Sequence, residues 1–352
     1  MKNKTYRIFM AFVLGSTIVL GISGCSDKSK TPKQQPRMGQ STQPRTIKPS
    51  PVIPDEVSQE TPDMPVDLSN AIQQMASPNA EERKQAIAVL ETYKDTRSAS
   101  VLIAALGDPS GNMIRKKAYE ILKDIGEPAL PAFIEAIKIG EKKYPLYARR
   151  DIISLLWKLK SPQLVGPLTE VIHNDSDSNV RASAVELLAA IDEKQAFPVI
   201  QESFSDRSDN VRSKALKMLV NINASNALDT LKAAFLDESK YVRAAAAEIS
   251  IEVKEASLIP QLVSALSDEF KNVRYHAAEA LGAIRNPRVI EVLISAIGDK
   301  EPFVVDRAGR ALYEITGQHK DFKDQRNQSL WQEWWEANKK NYPEQIKGSA
   351  FN

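Results

Sequence analysis

The sequence predicts an all-α protein: a right-handed α-solenoid of about eight helical hairpins, with a capping helix at its C-terminal end. Two observations support this fold class. The segment from Asp175 to Ile315 repeats every 31 residues, and apolar residues in each unit recur at the spacing of an amphipathic helix. A period of this length is typical of stacked repeats, because each unit is too small to bury its apolar face without a neighbour.

Pairs of valine and arginine mark the repeat. Counted from the valine as position 0, small or apolar residues recur at positions 0, 4, 7, 8 and 11, which share one face of an α-helix. Position 4 is Ala in seven units, which allows a neighbouring helix to approach closely, and position 8 is Leu in seven. A second apolar segment, such as Leu228, Leu231 and Phe235, precedes each pair, so each unit is a hairpin of two helices. The pairs are Val180-Arg181, Val211-Arg212, Val242-Arg243 and Val273-Arg274, and the series ends at Val304-Val305.

A short polar turn separates the two helices of each hairpin. Helix N-caps are expected three residues before the anchor, where Asn79, Asp177, Ser208 and Ser239 stand. An aspartate recurs five residues before the anchor and an arginine one residue after it. We predict two parallel ladders across the stack, in which each arginine reaches turn carboxylates or carbonyls of its own or an adjacent unit. The ladder residues are Asp175, Asp206, Asp237, Asp268 and Asp299 with Arg181, Arg212, Arg243 and Arg274.

The repeat unit Asp-x-x-x-x-Val-Arg-x-x-Ala-x-x-x-Leu-x-x-Ile resembles the HEAT repeat, in the version named after phycobilisome lyases. The resemblance covers roughly residues 70–318. Earlier units are less regular, with anchors at Glu82, Ile114 and Ala148 and an insertion at Lys138–Tyr147, and Ser250 replaces the core leucine in one unit. The resemblance implies a stack whose second helices line the surface that binds a partner.

Residues 1–24 have the features of a signal peptide. Three basic residues precede an apolar run from Ile8 to Ile22, which is short for a membrane span of about 20 residues but suits a signal-peptide core. The segment Ile22-Ser23-Gly24-Cys25 resembles the bacterial lipobox. This resemblance implies cleavage before Cys25 and lipid attachment to its sulfur, with palmitate among the acyl chains. The alternative is an uncleaved anchor followed by a chance cysteine.

The lipobox implies a bacterial cell envelope location with a lipid anchor. Cys25 is the only cysteine of the 352 residues, so the exported part has no disulfide. Because Ser26 rather than Asp follows Cys25, the outer membrane, facing the periplasm, is favoured if the host is Gram-negative. Residues 25–66 contain eight of the twenty prolines and have the composition of a disordered tether, basic in its first half and acidic in its second.

Residues 319–352 follow the predicted solenoid of residues 67–318. Gly317 is placed as the C′ residue that ends the last repeat helix. Trp331, Trp334 and Trp335 have i, i+3, i+4 spacing and share one helical face. The Thr-Gly-Gln and Trp-x-x-Trp-Trp pattern resembles the tail after HEAT arrays in other bacterial proteins, which implies a cap on the open end of the stack. The alternative is an exposed aromatic anchor for a partner.

Two enzyme classes with such repeats are the alternative functions. The resemblance to deoxyhypusine hydroxylase would require His-Glu pairs that bind a di-iron centre, but Tyr275 and His276 stand at the matching positions. The three histidines, His173, His276 and His319, are far apart in sequence. No short motif of a bilin lyase and no Gly-x-Ser-x-Gly nucleophile motif is present. We therefore expect no catalytic residue, no metal and no cofactor.

Binding of another envelope protein or peptide is the predicted function. The net charge is +2, and removal of residues 1–24 takes away three positive charges and leaves −1, whereas a nucleic-acid-binding surface needs a strong positive excess. Positions 2, 3, 6, 9 and 10 of the second helices are expected to project toward the partner, and aromatic and Arg side chains there are candidate anchors. Packing of Trp157 against the insertion and an inert His276 are the alternatives. The candidates are Arg150, Trp157, Tyr275, His276, Arg310 and Tyr313.

Overall fold

The computed structural model describes residues 64–318 and 325–346, and all regular structure in these residues is helical. The predicted signal peptide, Cys25, most of the tether and His319 lie outside the described residues. The α-helices are α1 (Val66–Gln74), α2 (Ala80–Tyr93), α3 (Ala99–Ala105), α4 (Asn112–Ile125), α5 (Leu130–Ile139), α6 (Leu146–Leu159), α7 (Val165–Asn174), α8 (Ser178–Ile191), α9 (Glu193–Ser203), α10 (Asp209–Ala234), α11 (Lys240–Val253), α12 (Ile259–Ala265), α13 (Lys271–Ile284), α14 (Ile290–Ala296), α15 (Pro302–Thr316) and α16 (Gln328–Asn338).

Consecutive helices pair into eight hairpins within the described residues. The pairs run from α1 with α2 to α14 with α15, and α10 supplies the second helix of the fifth hairpin and the first helix of the sixth. The second helices contact one another in sequence, α8 with α10, α10 with α11, α11 with α13 and α13 with α15. This arrangement confirms the predicted all-α solenoid. Among the described residues, no helix has both the length and the apolar character needed to cross a bilayer.

The shared interior explains why the apolar positions recur. The anchor valines Val180 and Val211 are buried, and the alanines at position 4 have no exposed surface, so the second helices meet across small side chains. The closest approach is at Gly282 in α13, where a Cβ atom would lie 2.9 Å from the Cα atom of Ala311 in α15. Only glycine allows these two backbones to approach so closely.

Short junctions connect the helices, and two of them differ from the predicted pattern. Asp177 caps α8 through bonds from two backbone N–H groups, whereas Ser208 holds the N-cap position of α10 without a side-chain cap bond. Asn223 is the single non-helical residue inside α10, with extended φ and ψ, and its side chain accepts the N–H of Asn226. Two helices that the pattern predicts as separate are therefore joined through one residue. Ser250 fits the core because its hydroxyl donates to the carbonyl of Ala246 at 2.7 Å.

The tryptophan-rich helix α16 packs against α14, the first helix of the last hairpin. Trp331 and Trp335 are 1% and 5% exposed and belong to the same core as α12–α15. The indole N–H of Trp335 donates to Glu291 at 2.9 Å. Trp334 is half-buried and packs against both other tryptophans and Tyr342. The helix therefore covers the last hairpin, and the two most buried indoles are not open to a partner.

Candidate functional site

Six arginines at repeat position 1 make the same arrangement of hydrogen bonds. In Arg181, Nε and Nη2 donate to the two carboxylate oxygens of Asp206 in the next unit, at 2.8 and 2.7 Å. Its Nη1 donates to the backbone carbonyl of Asp175 in its own turn, at 2.8 Å. Each of these arginines therefore joins two successive hairpins. The other pairs are Arg83–Asp108, Arg149–Asp175, Arg212–Asp237, Arg243–Asp268 and Arg274–Asp299.

The ladder side chains are buried or half-buried. The Arg181 side chain is 2% exposed. Burial alone would raise the pKa of Asp206, but hydrogen bonds from Arg181 and from the Ser208 backbone N–H outweigh it and hold that pKa below its ordinary value. Burial likewise would raise the pKa of Asp108 and of Asp299, but bonds from arginine together with bonds from Ser110 or from the Glu301 backbone N–H outweigh it and lower both pKa values. These charges are satisfied inside the stack, so the ladder holds the hairpins together.

The six candidate binding residues lie in two places on the second helices. One place is α6, and the other is the adjacent pair α13 and α15, four hairpins or more further along the stack. Two candidates, both arginines, are exposed, whereas the other four are half-buried because their rings rest on neighbouring side chains. Arg150 and Trp157 lie on α6, Tyr275 and His276 on α13, and Arg310 and Tyr313 on α15.

Tyr275 is held by side chains of α13 and α15. Arg307 donates to its hydroxyl at 2.6 Å, and the ring of Phe303 lies 5.7 Å away. Arg307 also pairs with Glu279 at 3.1 Å. His276 packs edge-on against Tyr275, and its Nδ1 is buried without a hydrogen-bond partner, 3.8 Å from Glu279. The Arg307 guanidinium lies 5.0 Å over the ring, so the cluster fixes the orientation of the tyrosine and leaves it half-buried.

Aromatic and lysine side chains extend this cluster along the N-terminal ends of α11, α13 and α15. Tyr241 is 59% exposed, and its ring lies 5.9 Å from that of Phe270. Lys240 lies over both rings, at 5.4 and 5.0 Å. We call Tyr241, Phe270, Tyr275 and Phe303 the aromatic rim. The sequence prediction included Tyr275 alone, although Tyr241 and Phe303 share one repeat position, directly before the anchor valine.

On α6 the two candidates have different surroundings. The Arg150 side chain is 49% exposed, and its guanidinium lies 3.4 Å from Asp177 in the next hairpin. Trp157 is half-buried because its ring packs against the core, and Lys160 lies 5.5 Å over the ring. Trp157 is therefore shared between the core and the surface, and its removal affects both.

A cleft of about 400 Å³ separates the exposed sides of α4 and α6. Arg115 lies 4.4 Å over the ring of Tyr147, whose hydroxyl donates to the Gly107 carbonyl at 3.1 Å. Burial raises the pKa of Asp151, and Arg115 partly opposes that rise. The sequence prediction missed this α4–α6 cleft. A signal was present, since Lys143 stands where the ladder aspartate of that unit is expected.

Metal ligands do not converge in the described part of the chain: no three His, Cys, Asp or Glu side chains there are placed to hold one ion. His173 lies beside Glu202 at 3.5 Å on the outer helices, far along the chain from His276. Neither histidine stands beside a second one among these residues.

The stacked hairpins and their ladder define an α-solenoid built from a repeated helical unit. The HEAT-repeat family model matches residues 68–144, 165–252 and 259–323, which is more than half of the chain. The chain belongs to the HEAT-repeat family. No curated protein matches it.

Solved structures with the same kind of fold include three named proteins. Kap121p is 14% identical, with a TM-score of 0.45 over 81% of this chain and 41% of its own. Human deoxyhypusine hydroxylase is 18% identical, with a TM-score of 0.32 over 72% and 96%. The CpcE–CpcF complex of phycocyanin lyase from Nostoc is 19% identical, with a TM-score of 0.30 over 80% and 99%. At these identities the likeness concerns the fold alone.

Proposed function

We propose that this HEAT-repeat protein is a non-catalytic scaffold that is anchored to the bacterial envelope through an acylated Cys25. In this proposal the second helices bind another envelope protein or peptide. The observation that supports binding is the aromatic rim with its lysines and Arg307, which lies outside the shared core. Aromatic and Arg side chains that are already held in place lose little conformational freedom on binding and often dominate the binding energy.

The ladder supports the same proposal because it is excluded as a binding site for a ligand. Its arginines and aspartates are buried or half-buried and bond one another, so their charges stabilise the stack and are not available to a ligand. Tyr275 and His276 stand where deoxyhypusine hydroxylase would need His and Glu, which is why we propose no catalytic role. Stoichiometric iron in the purified protein would favour the enzyme instead.

We expect crosslinking and affinity capture from membranes to recover one partner with the wild-type chain. Tyr275→Ala should lose that partner, because Tyr275 is the best-held ring of the aromatic rim, and Trp157→Ala should lose it if the partner extends to α6. Lys194→Ala is the control, since Lys194 is exposed and belongs to α9, a first helix. Equal recovery from Tyr275→Ala, Trp157→Ala and the control would show that the second helices are not the binding surface. If neither the wild type nor any variant recovers a partner, the proposal is wrong.

We expect Cys25→Ala to release the protein from the membrane fraction. The reason is that acyl chains on one cysteine hold a protein at the bilayer by about 0.8 kcal/mol for each buried methylene, and the substitution removes all of them. Ser26→Ala keeps the acceptor sulfur and should stay with the membrane. The measurement is ultracentrifugal fractionation with immunoblotting. Unchanged fractionation of Cys25→Ala would rule out the lipid anchor.

A further inference from the structure

The arginine ladder has one gap, between the second and third hairpins. Arg115 occupies repeat position 1 of α4. Unlike the ladder arginines, it forms no ion pair with a carboxylate of the described residues. It donates through Nε to the Gly111 carbonyl at 3.3 Å and through Nη2 to Asn112. The third hairpin brings Lys143 to the ladder position in place of an aspartate.

The redirected arginine faces the α4–α6 cleft. The ring of Tyr147 supports its guanidinium at 4.4 Å, which is the geometry of a cation–π contact. Lys116 is exposed on the same wall, and Tyr119 bonds Ser154 across the cleft at 3.0 Å. Arg115 is therefore held in place by neutral groups, with capacity left for an anion.

The segment that forms this cleft is rich in basic residues. Residues 112–160 contain eleven Lys and Arg and six Asp and Glu, a net charge of +5, whereas the whole chain has +2. Some of these cations are already paired, as Lys117 is with Glu91 and Arg149 is with Asp175. Lys116 has no such pair among the described residues. The cleft therefore lies in a basic segment of the solenoid, and Lys116 adds a positive charge at its wall that is unpaired among the described residues.

We propose that the α4–α6 cleft binds a carboxylate side chain from an acidic segment of the protein partner, with Arg115 and Lys116 as its cations. The partner's carboxylate accepts from the Arg115 N–H groups that Gly111 and Asn112 leave unused, on Nη1 and Nη2. Two parallel N–H groups of one guanidinium then donate to its two oxygens, as they do to the aspartates in the other hairpins. The inference rests on the proposed function for the existence of a partner. Charge complementarity selects an acidic segment, because a basic one would meet Arg115 and Lys116 at the entrance.

Asp151 weakens the binding of an anion in this cleft. It lines the same cleft and makes no hydrogen bond or ion pair with the described residues, so its negative charge opposes an incoming carboxylate. Replacement by asparagine keeps the shape and removes the charge. A site for anions should therefore bind more tightly in Asp151→Asn, whereas a site for cations should bind more weakly.

The test uses the full-length chain in detergent and a short fluorescein-labelled peptide of alternating Asp and Ser, followed by fluorescence anisotropy. We expect Arg115→Ala to weaken binding about tenfold, Lys116→Ala to weaken it less, and Asp151→Asn to tighten it about threefold. The control is Arg285→Ala, an exposed arginine at the end of α13. Thermal melting shows whether each variant is folded. If Arg115→Ala does not fold, Lys116→Ala tests the proposal, because Lys116 is exposed.

Several outcomes would overturn the proposal. One is that a peptide with Asn in place of Asp binds as tightly as the Asp peptide, and another is that a Lys-Ser peptide binds more tightly. The others are that Arg115→Ala weakens binding no more than Arg285→Ala does, or that Asp151→Asn binds the Asp peptide more weakly than the wild type. Binding of the Cys25→Ala chain to phosphatidylglycerol vesicles without peptide binding would identify a lipid surface instead. Peptide binding that appears only after neutralisation of Asp55, Glu56, Glu60 and Asp63 would make the chain's own acidic segment the occupant. Failure here leaves partner capture at Tyr275 unaffected, so the two proposals fail separately.

Discussion

Arg181→Ala should lower the free energy of unfolding by about 3 kcal/mol, because it leaves the largely covered carboxylate of Asp206 without its cation. Arg181 is the most buried arginine of the ladder, and its Nε, Nη1 and Nη2 donate to groups of two successive hairpins. The measurement is urea unfolding followed by circular dichroism. The double variant with Asp206→Ala should lose less than the two single variants together, because neither charge is then left alone.

Arg115→Ala is the matched control for stability, since it removes an arginine from the same repeat position that pairs with no carboxylate. We expect its effect to be about 1 kcal/mol or less. If Arg181→Ala were no more destabilising than Arg115→Ala, the ladder would have no role in stability.

The same variant should change the response to acid. In the folded protein, the pKa of Asp206 lies below its ordinary value. A depressed carboxylate contributes stability that is fully present above the unfolded pKa of about 3.9 and is lost as the pH falls through the folded value. The wild-type melting temperature should therefore be steady at neutral pH and drop below about pH 4, where Arg181→Ala should lose less.

Trp331→Ala should destabilise the C-terminal part by about 3–5 kcal/mol, because it empties the largest buried side-chain site of the structure. The indole contacts the core formed by α12–α15 and donates to the Gln325 carbonyl at 3.3 Å. Urea unfolding measures the loss, and limited proteolysis should cut α16 earlier than in the wild type.

Trp334→Ala is the control on the same helix, and since Trp334 is only half-buried its effect should be smaller. Equal stability of Trp331→Ala and wild type, together with loss of a captured partner, would instead support the exposed-anchor interpretation of the tryptophans.

The hairpins could be predicted from the sequence because a period of 31 residues repeats both the apolar face and the polar turn. Burial of Val180 and of the position 4 alanines follows directly from helical spacing. The junction at Asn223 could not be predicted, since an amide side chain that caps the next helix allows two helices to continue with almost no turn. The half-burial of Trp157 depends on the core beneath it, which spacing along one helix does not describe.

The candidate surface was less predictable than the fold. Repeat positions identify which side chains leave the core, but contacts between units decide which of them are held, as Arg307 holds Tyr275. The candidate anion site in the α4–α6 cleft depends on a missing residue. Arg115 is an ordinary repeat residue, but the following unit lacks the aspartate that would pair with it. The sequence shows the missing aspartate, since Lys143 stands in its place, but the cleft itself is seen only when the two hairpins are placed side by side.

The gap at Arg115 also has a mechanical consequence. Six of the seven junctions between the described hairpins carry a two-oxygen arginine clasp, and the junction between the second and third does not. In a stack where each unit touches only its neighbours, tension applied along the array would part the weakest joint first. A load pulling on this protein would thus open it at α4 and α6, while the six later hairpins stay together as one block.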